Sequence, residues 1–220
     1  MRFRAVIFDL DGVLADSEPW WNQIDAQLLK EYGADYHGQY HREVLGVSYT
    51  IAIEFYKKAF NISASTEEMM KRRGAIATEF FAKSVGLFPN AKSVLEELRE
   101  MKLRLALATS SVSASARPFL DRNQITEFFD VIITGDEISL GKPAPDIYLS
   151  TAEKLAVAPR DCLVIEDSLS GIAAAKAAKM RVVAIPDRRF VDPREYEEEA
   201  DYLLNDLSEI PALVRSSRSE

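Results

Sequence analysis

The chain has 220 residues, 47% of them hydrophobic, and 35 Asp and Glu against 27 Lys and Arg give a formal net charge of −8. That length holds one large domain or a domain with an insertion, and the apolar share supports a substantial core, so disorder is not the default. The acidic balance argues against nucleic acid or an anionic membrane surface as partner, though a phosphorylated substrate stays open if cations gather locally.

Cys162 is the sole cysteine, so no intrachain disulfide is possible and a reducing cytoplasm is the expected location. Its setting, Cys162-Leu163-Val164-Ile165, reads as a strand interior with a buried, inert thiol rather than a reactive one. Neither a signal peptide nor a membrane span is expected: no long apolar stretch precedes the first acids, and no run of about 18 apolar residues occurs. The chain is taken as a monomer.

In chain order, residues 5–8 form an apolar run that predicts a fully buried parallel strand. It ends in Asp9 and Asp11, with one residue between them, followed by Gly12. Uncompensated charge at a core strand's end is expensive, yet the carboxyl ends of strands are where open α/β sheets bind ligands. A metal and a nucleophile at the sheet mouth fit this segment, as does a solvated Asp-x-Asp-Gly turn.

Residues 20–32, 42–60 and 66–85 have helical periodicity and no convincing strand. This all-helical block interrupts the α/β pattern, and its two short connections suggest a hinge. His37 and His41 lie within it, four apart but without a third ligand, and read as solvated surface. Beyond residue 87, apolar runs at 103–108, 131–133, 163–165 and 182–185 alternate with helical stretches at 92–102, 114–123, 145–155 and 171–179. Such alternation predicts a doubly wound, Rossmann-like parallel sheet. An edge strand near 202–204, a last helix over 207–214 and a frayed tail from 215 complete the prediction.

Polar groups follow these strands directly: Asp9 and Asp11, then Thr109-Ser110-Ser111, Gly141-Lys142-Pro143, and Glu166-Asp167-Ser168. Each alone is explained by helix capping or a turn; a lysine among so many carboxylates at one sheet edge is harder to dismiss. Phosphoryl transfer needs a nucleophile, a proton donor, a cation and hydrogen-bond donors for the phosphoryl oxygens. A hard cation such as Mg²⁺ prefers oxygen ligands at about 2.1 Å, and Asp9, the Asp11 carbonyl, Glu166 and Asp167 can supply them. The Thr109 hydroxyl, the Ser110 N–H and the Lys142 ammonium can hold phosphoryl oxygens, aided by a helix N-terminus.

Together, Phe8-Asp9-Leu10-Asp11-Gly12-Val13, Ala108-Thr109-Ser110-Ser111, Gly141-Lys142-Pro143-Ala144-Pro145-Asp146 and Ile165-Glu166-Asp167-Ser168 with Gly171 resemble the four signature motifs of the haloacid dehalogenase superfamily. The resemblance covers essentially the whole chain. It implies an α/β core of residues 1–14 and 87–220 and a helical cap of residues 15–86, like that of the beta-phosphoglucomutase and sugar-phosphate phosphatase subgroup. It further implies that Asp9 attacks phosphorus to form an aspartyl-phosphate and that Asp11 serves as acid, then base. Thr109 and Lys142 would bind the phosphoryl group, and Glu166 and Asp167 would orient Mg²⁺. An aspartate at position 11 excludes the dehalogenase reaction of the founding members.

Beta-phosphoglucomutases carry a cap His where Trp21 stands here, and an Arg where Gly46-Val47-Ser48 is followed by Tyr49. Tyrosine cannot replace arginine's fork of charged donors for a second phosphate. Trp21, Gly46, Tyr49 and Ser111 are therefore the expected specificity residues, with Trp21 preferred over Trp20 as the ring facing the site; both rings as cap core is the alternative. The resulting expectation is a Mg²⁺-dependent phosphatase of small phosphorylated metabolites. Alternatives are a phosphoglucomutase-like transferase and, from another class, a non-catalytic phosphate binder, which would have no need of a nucleophile.

Overall fold

The computed structural model describes residues 3–44 and 49–217, the side chains of His41 and Arg42 excepted. The chain starts with β1 (Ala5–Phe8) and β2 (Ala15–Asp16), followed by α1 (Glu18–Glu31), α2 (His41–Val44), α3 (Tyr49–Phe60), α4 (Thr66–Lys83) and β3 (Gly86–Leu87). Strand and helix then alternate through α5 (Ala91–Glu100), β4 (Arg104–Ala108), α6 (Ser113–Arg122), β5 (Val131–Ile133), α7 (Asp146–Leu155), β6 (Cys162–Glu166), α8 (Leu169–Ala177) and β7 (Arg181–Ala184). The chain closes with β8 (Tyr202–Leu203) and α9 (Ile210–Ser216).

Six strands form one parallel sheet in the order β5-β4-β1-β6-β7-β8. β1 is apolar throughout because both its faces are covered. Val6 and Phe8 pack into one core with Leu95 and Leu98 of α5, whereas Ala5 and Ile7 pack into a second with Tyr148 of α7 and Ile172 of α8. Phe8 is in register with Leu107 of β4 on one side and Ile165 of β6 on the other. The residues that follow these three strands therefore emerge at one edge, where the strand order turns about β1 and α/β sheets bind ligands.

The insert is not free of strand. Ala15 and Asp16 pair antiparallel with Leu87 and Gly86, so a short ribbon joins core and insert. Two passages of chain crossing at one place satisfy each other's backbone groups, which single-strand patterning does not reveal. Within the insert, Ile24 and Leu28 of α1, Ile53 and Tyr56 of α3, and Ile76 and Phe81 of α4 are fully buried. The insert rests on α6 of the core: the Phe81 and Phe119 rings lie 5.9 Å apart, and the Thr78 and Ser115 hydroxyls are 3.1 Å apart.

Some boundaries differ from expectation. The predicted stretch 42–60 corresponds to α2 and α3 on either side of residues 45–48, so Gly46 falls outside the described residues. α8 starts at Leu169 rather than 171 because the Ser168 hydroxyl accepts from the Gly171 N–H and caps it. The tail expected to fray from 215 is ordered further, since Arg215 lies in α9 and pairs with Glu97 of α5 at 2.5 Å.

Candidate active site

The loop after β1 builds the centre. Asp9 leaves the strand still bonded to β6 through its N–H to the Ile165 carbonyl (3.0 Å). The chain then reverses, the N–H groups of Leu14 and Ala15 donating to the Leu10 carbonyl at 3.0 and 2.8 Å. Gly12 takes φ +72°, and a Cβ there would stand 1.9 Å from Oδ2 of Asp167. Glycine is required both for the left-handed backbone and for that carboxylate's approach.

Four donors fix Asp11. Its Oδ1 accepts from the Ser17 hydroxyl (2.8 Å) and the Trp21 indole (3.2 Å), its Oδ2 from the Ser111 hydroxyl (2.7 Å) and more distantly that of Thr109 (3.4 Å). Burial nonetheless pushes the carboxyl's pKa up, opposed by these hydrogen bonds. The Thr109 hydroxyl also accepts from the Ser111 N–H at 3.0 Å. Among the described residues the Ser110 N–H meets no protein acceptor.

Lys142 is buried and aims its ammonium between Asp9 Oδ1 and Glu166 Oε1, 2.6 Å from each. Burial opposes its charge, but the two carboxylates outweigh it and hold the amine protonated. Glu166 is fully enclosed: Oε1 also accepts from the Tyr148 hydroxyl, and Oε2 from the Ser168 hydroxyl and the Asp167 and Ser168 N–H groups. A Cβ at Gly171 would fall 1.9 Å from Glu166 Oε1, so α8 packs directly on this carboxylate.

Asp9, Glu166 and Asp167 each bring an oxygen within 4.8 Å of the others. Unlike Glu166, the Asp167 carboxylate accepts no hydrogen bond among the described residues. Burial pushes its pKa well up, and Glu166 and Asp9 add to the shift. Burial likewise raises that of Asp9, against the pull of Lys142. One ammonium among so many carboxylates leaves excess negative charge that a hard, oxygen-seeking cation would offset. The donor set, all oxygen, fits Mg²⁺.

Over this centre lies a cavity of about 80 Å³, lined from the core by Asp9, Asp11, Ser110, Ser111, Lys142 and Asp167, and from the insert by Glu18, Trp21, Asp25, Tyr49 and Arg73, among others. Trp21 faces it, whereas Trp20 packs on Phe80 within the insert at 5.7 Å. The Tyr49 hydroxyl lies 3.4 Å from that of Ser111. His37 is exposed beside Asp35, and Cys162 is fully buried with its thiol pushed up to about 12.

Asp25, Arg73 and Tyr148 were not anticipated; the run Asp16-Ser17-Glu18-Pro19 resembles that of the sugar-phosphate phosphatases, but the Ser17 bond to Asp11 and the place of Glu18 at the cavity were not foreseen. A signal existed for Arg73: it shares the buried face of α4 with Met69, Ile76 and Ala77, where a charge demands a partner. That partner, Asp25, lies 48 residues away on α1, which no local pattern could supply.

Residues 6–185 match the haloacid dehalogenase-like hydrolase family, and the chain belongs to it. Similar proteins include a phosphorylated carbohydrates phosphatase of Thermotoga maritima, 37% identical over 174 residues (79% of this chain, 81% of that one). Hexitol phosphatase B of Escherichia coli K12 is 30% identical over 217 residues, covering 94% of each chain. Among solved structures, CbbY from Rhodobacter sphaeroides in complex with phosphate superimposes with a TM-score of 0.83 at 26% identity, over 94% of this chain and 96% of that one. The fold and the sequence relatives thus agree on an enzyme of the sugar-phosphate phosphatase and beta-phosphoglucomutase-like subgroup.

Proposed function

We propose that this hydrolase is a Mg²⁺-dependent phosphatase of small phosphomonoesters, sugar phosphates above all. The observation that carries the reading is the placement of two carboxylates with opposite surroundings at one cavity: Asp9 against the Lys142 ammonium, Asp11 among neutral donors. Lys142 occupies one oxygen of Asp9 and leaves the other for attack on phosphorus, giving an aspartyl-phosphate. Asp11, whose proton affinity burial raises, hands its proton to the leaving oxygen. It then takes a proton from the water that cleaves the intermediate. Ser17, Trp21 and Ser111 hold it in place for both steps.

Phosphoryl oxygens are received by the Ser110 N–H, the Thr109 hydroxyl and Lys142. Asp9, the Asp11 carbonyl, Glu166 and Asp167 would hold Mg²⁺, Glu166 also bracing Lys142 and the Asp167 N–H. Such a cation neutralises phosphoryl charge. Residues 15–86 act as a cap that closes over the site, and the core does the chemistry. The names of the two phosphatase relatives and the phosphate-bound state of CbbY support the reading.

The test is phosphate release from p-nitrophenyl phosphate with and without Mg²⁺, followed by a panel of phosphorylated metabolites. Mg²⁺-dependent release, strongest on sugar phosphates, is expected. Interconversion of glucose 1- and 6-phosphates stimulated by a sugar bisphosphate would instead make the chain a mutase, and binding without turnover would make it a phosphate binder.

A further inference from the structure

Arg73 is a buried cation from the insert that reaches the cavity, and its surroundings are specific. Its Nε and one Nη donate to the two oxygens of Asp25 at 2.7 and 3.1 Å. The guanidinium carbon lies 4.5 Å from the Trp21 ring centroid and 4.6 Å from that of Tyr49, so both aromatic residues contact it. Asp25 is held from behind by the Tyr56 hydroxyl at 2.7 Å. Both ionic partners are at least nine-tenths buried and both line the cavity. The remaining nitrogen, Nη1, has no acceptor among the described residues.

A cavity-lining guanidinium would ordinarily favour a carboxylate or second phosphate. Here its charge is already met bidentately. Lys142, too, is compensated by two carboxylates. Among the described residues, no uncompensated cation lines the insert side of the cavity, where Asp25 is already engaged by Arg73 and Glu18 adds a carboxyl. What the insert offers a leaving group is a fixed N–H donor and the Tyr49 hydroxyl, which suit neutral hydroxyl groups.

We infer that the Arg73–Asp25 pair determines specificity, its free Nη1 donating to a hydroxyl of the leaving group while Asp25 withholds net positive charge. The substrate class is then the monophosphate of an uncharged polyol or sugar, with bisphosphates and phosphorylated acids disfavoured. This inference rests on the phosphatase reading above.

The experiment compares kcat and KM of wild type, Arg73→Met, Asp25→Asn and Arg73→Met/Asp25→Leu on three substrates: hexitol 6-phosphate, fructose 1,6-bisphosphate and p-nitrophenyl phosphate. The double variant removes both charges together, so no orphaned charge is left to unfold the insert, and thermal melts accompany each protein. Loss of Arg73, alone or in the double variant, should raise KM for the hexitol phosphate about 10- to 100-fold, the range for a buried charged donor. The p-nitrophenyl ester, which lacks hydroxyls, should change less than about threefold. Asp25→Asn should shift the kcat/KM ratio toward the bisphosphate by about tenfold or more.

Parallel losses on all three substrates in the folded double variant, or unchanged ratios throughout, overturn the inference while wild-type turnover of the p-nitrophenyl ester upholds the phosphatase reading. Absence of wild-type turnover with Mg²⁺ overturns both.

Discussion

Asp9 and Asp11 are two residues apart yet live in different electrostatic settings, one ion-paired and the other held by neutral donors. Asp9→Asn is nearly isosteric and still accepts from Lys142, so the fold should persist while hydrolysis of p-nitrophenyl phosphate disappears. Turnover above background would remove Asp9 as nucleophile. Asp11→Asn should lose roughly 10²- to 10⁴-fold in kcat, the usual worth of general acid–base catalysis. Glu18 offers a test that needs no substrate. Burial, with Asp11 and Asp187 nearby, pushes its pKa up to about 8 from 4.5. The folded state therefore holds this proton more tightly than the unfolded state, and the associated stability is full below about pH 4.5 and is lost as pH rises toward 8. Glu18→Gln lacks that titration. Its unfolding free energy, relative to wild type, should rise between pH 5 and pH 8.5 by an amount on the order of a few kcal/mol, as read from denaturant titrations; an unchanged difference would contradict the shift.

At the scale of elements, the insert meets the chemistry through α1 and α3, and through α4 by way of Arg73. α1 brings Trp21, whose indole donates to Asp11, and α3 brings Tyr49, whose hydroxyl lies 3.4 Å from the Ser111 hydroxyl, its one hydrogen-bond partner among the described residues. These two aromatic residues should behave differently when changed. Trp21→Phe removes a donor from the acid–base carboxylate and should lower kcat on every ester, the p-nitrophenyl one included. Tyr49→Phe removes a long, weak hydrogen bond and one polar group facing the leaving group. Its effect should be a several-fold change in preference among sugar phosphates, within the roughly 0.5–1.5 kcal/mol of one hydrogen bond, with little change on the generic ester. Equal effects of the two variants across substrates would reverse these assignments. The β2–β3 ribbon is tied to the core by Arg189, which pairs with Asp16 of β2 at 2.5 Å; both side chains are partly exposed, so this pair adds little stability.

For the whole molecule, the balance of charge and space matters most. A chain with net charge −8 is to bind an anionic ester, so attraction must be local. Lys142, the Ser110 N–H and a cation at Asp9 and Asp167 would provide it. EDTA should abolish turnover and Mg²⁺ should restore it, whereas Ca²⁺, with its longer and looser coordination, should support it poorly. Full activity in metal-free buffer would exclude the cation from the site. The cavity of about 80 Å³ is well below the roughly 300–1,000 Å³ common for small-molecule sites. On the cap reading proposed above, a sugar phosphate would enter with the insert displaced and the short β2–β3 ribbon as pivot.

Much of this was legible in the chain itself. The apolar run ending in Asp9 marked a strand covered on both faces, because only continuous burial makes continuous apolarity favourable. The recurrence of Thr109, Lys142, Glu166 and Asp167 after later strands placed them at one edge, since parallel strands all end on the same side. Helical periodicity outlined α1, α3 and α4 for a similar local reason. Pairings distant in sequence were not legible. The sequence marked Glu166 and Asp167 together for the metal, and the fold brings both beside Asp9; it did not show that Lys142, Tyr148 and Ser168 crowd Glu166 while the Asp167 carboxylate accepts no hydrogen bond among the described residues. It showed Arg73 on an apolar helical face but not Asp25 beside it, nor the rings of Trp21 and Tyr49 against it. Hydrophobic periodicity is a property of neighbours along the chain and survives in the sequence; the partner of a buried charge is chosen by which helices pack together, and only the folded molecule decides that.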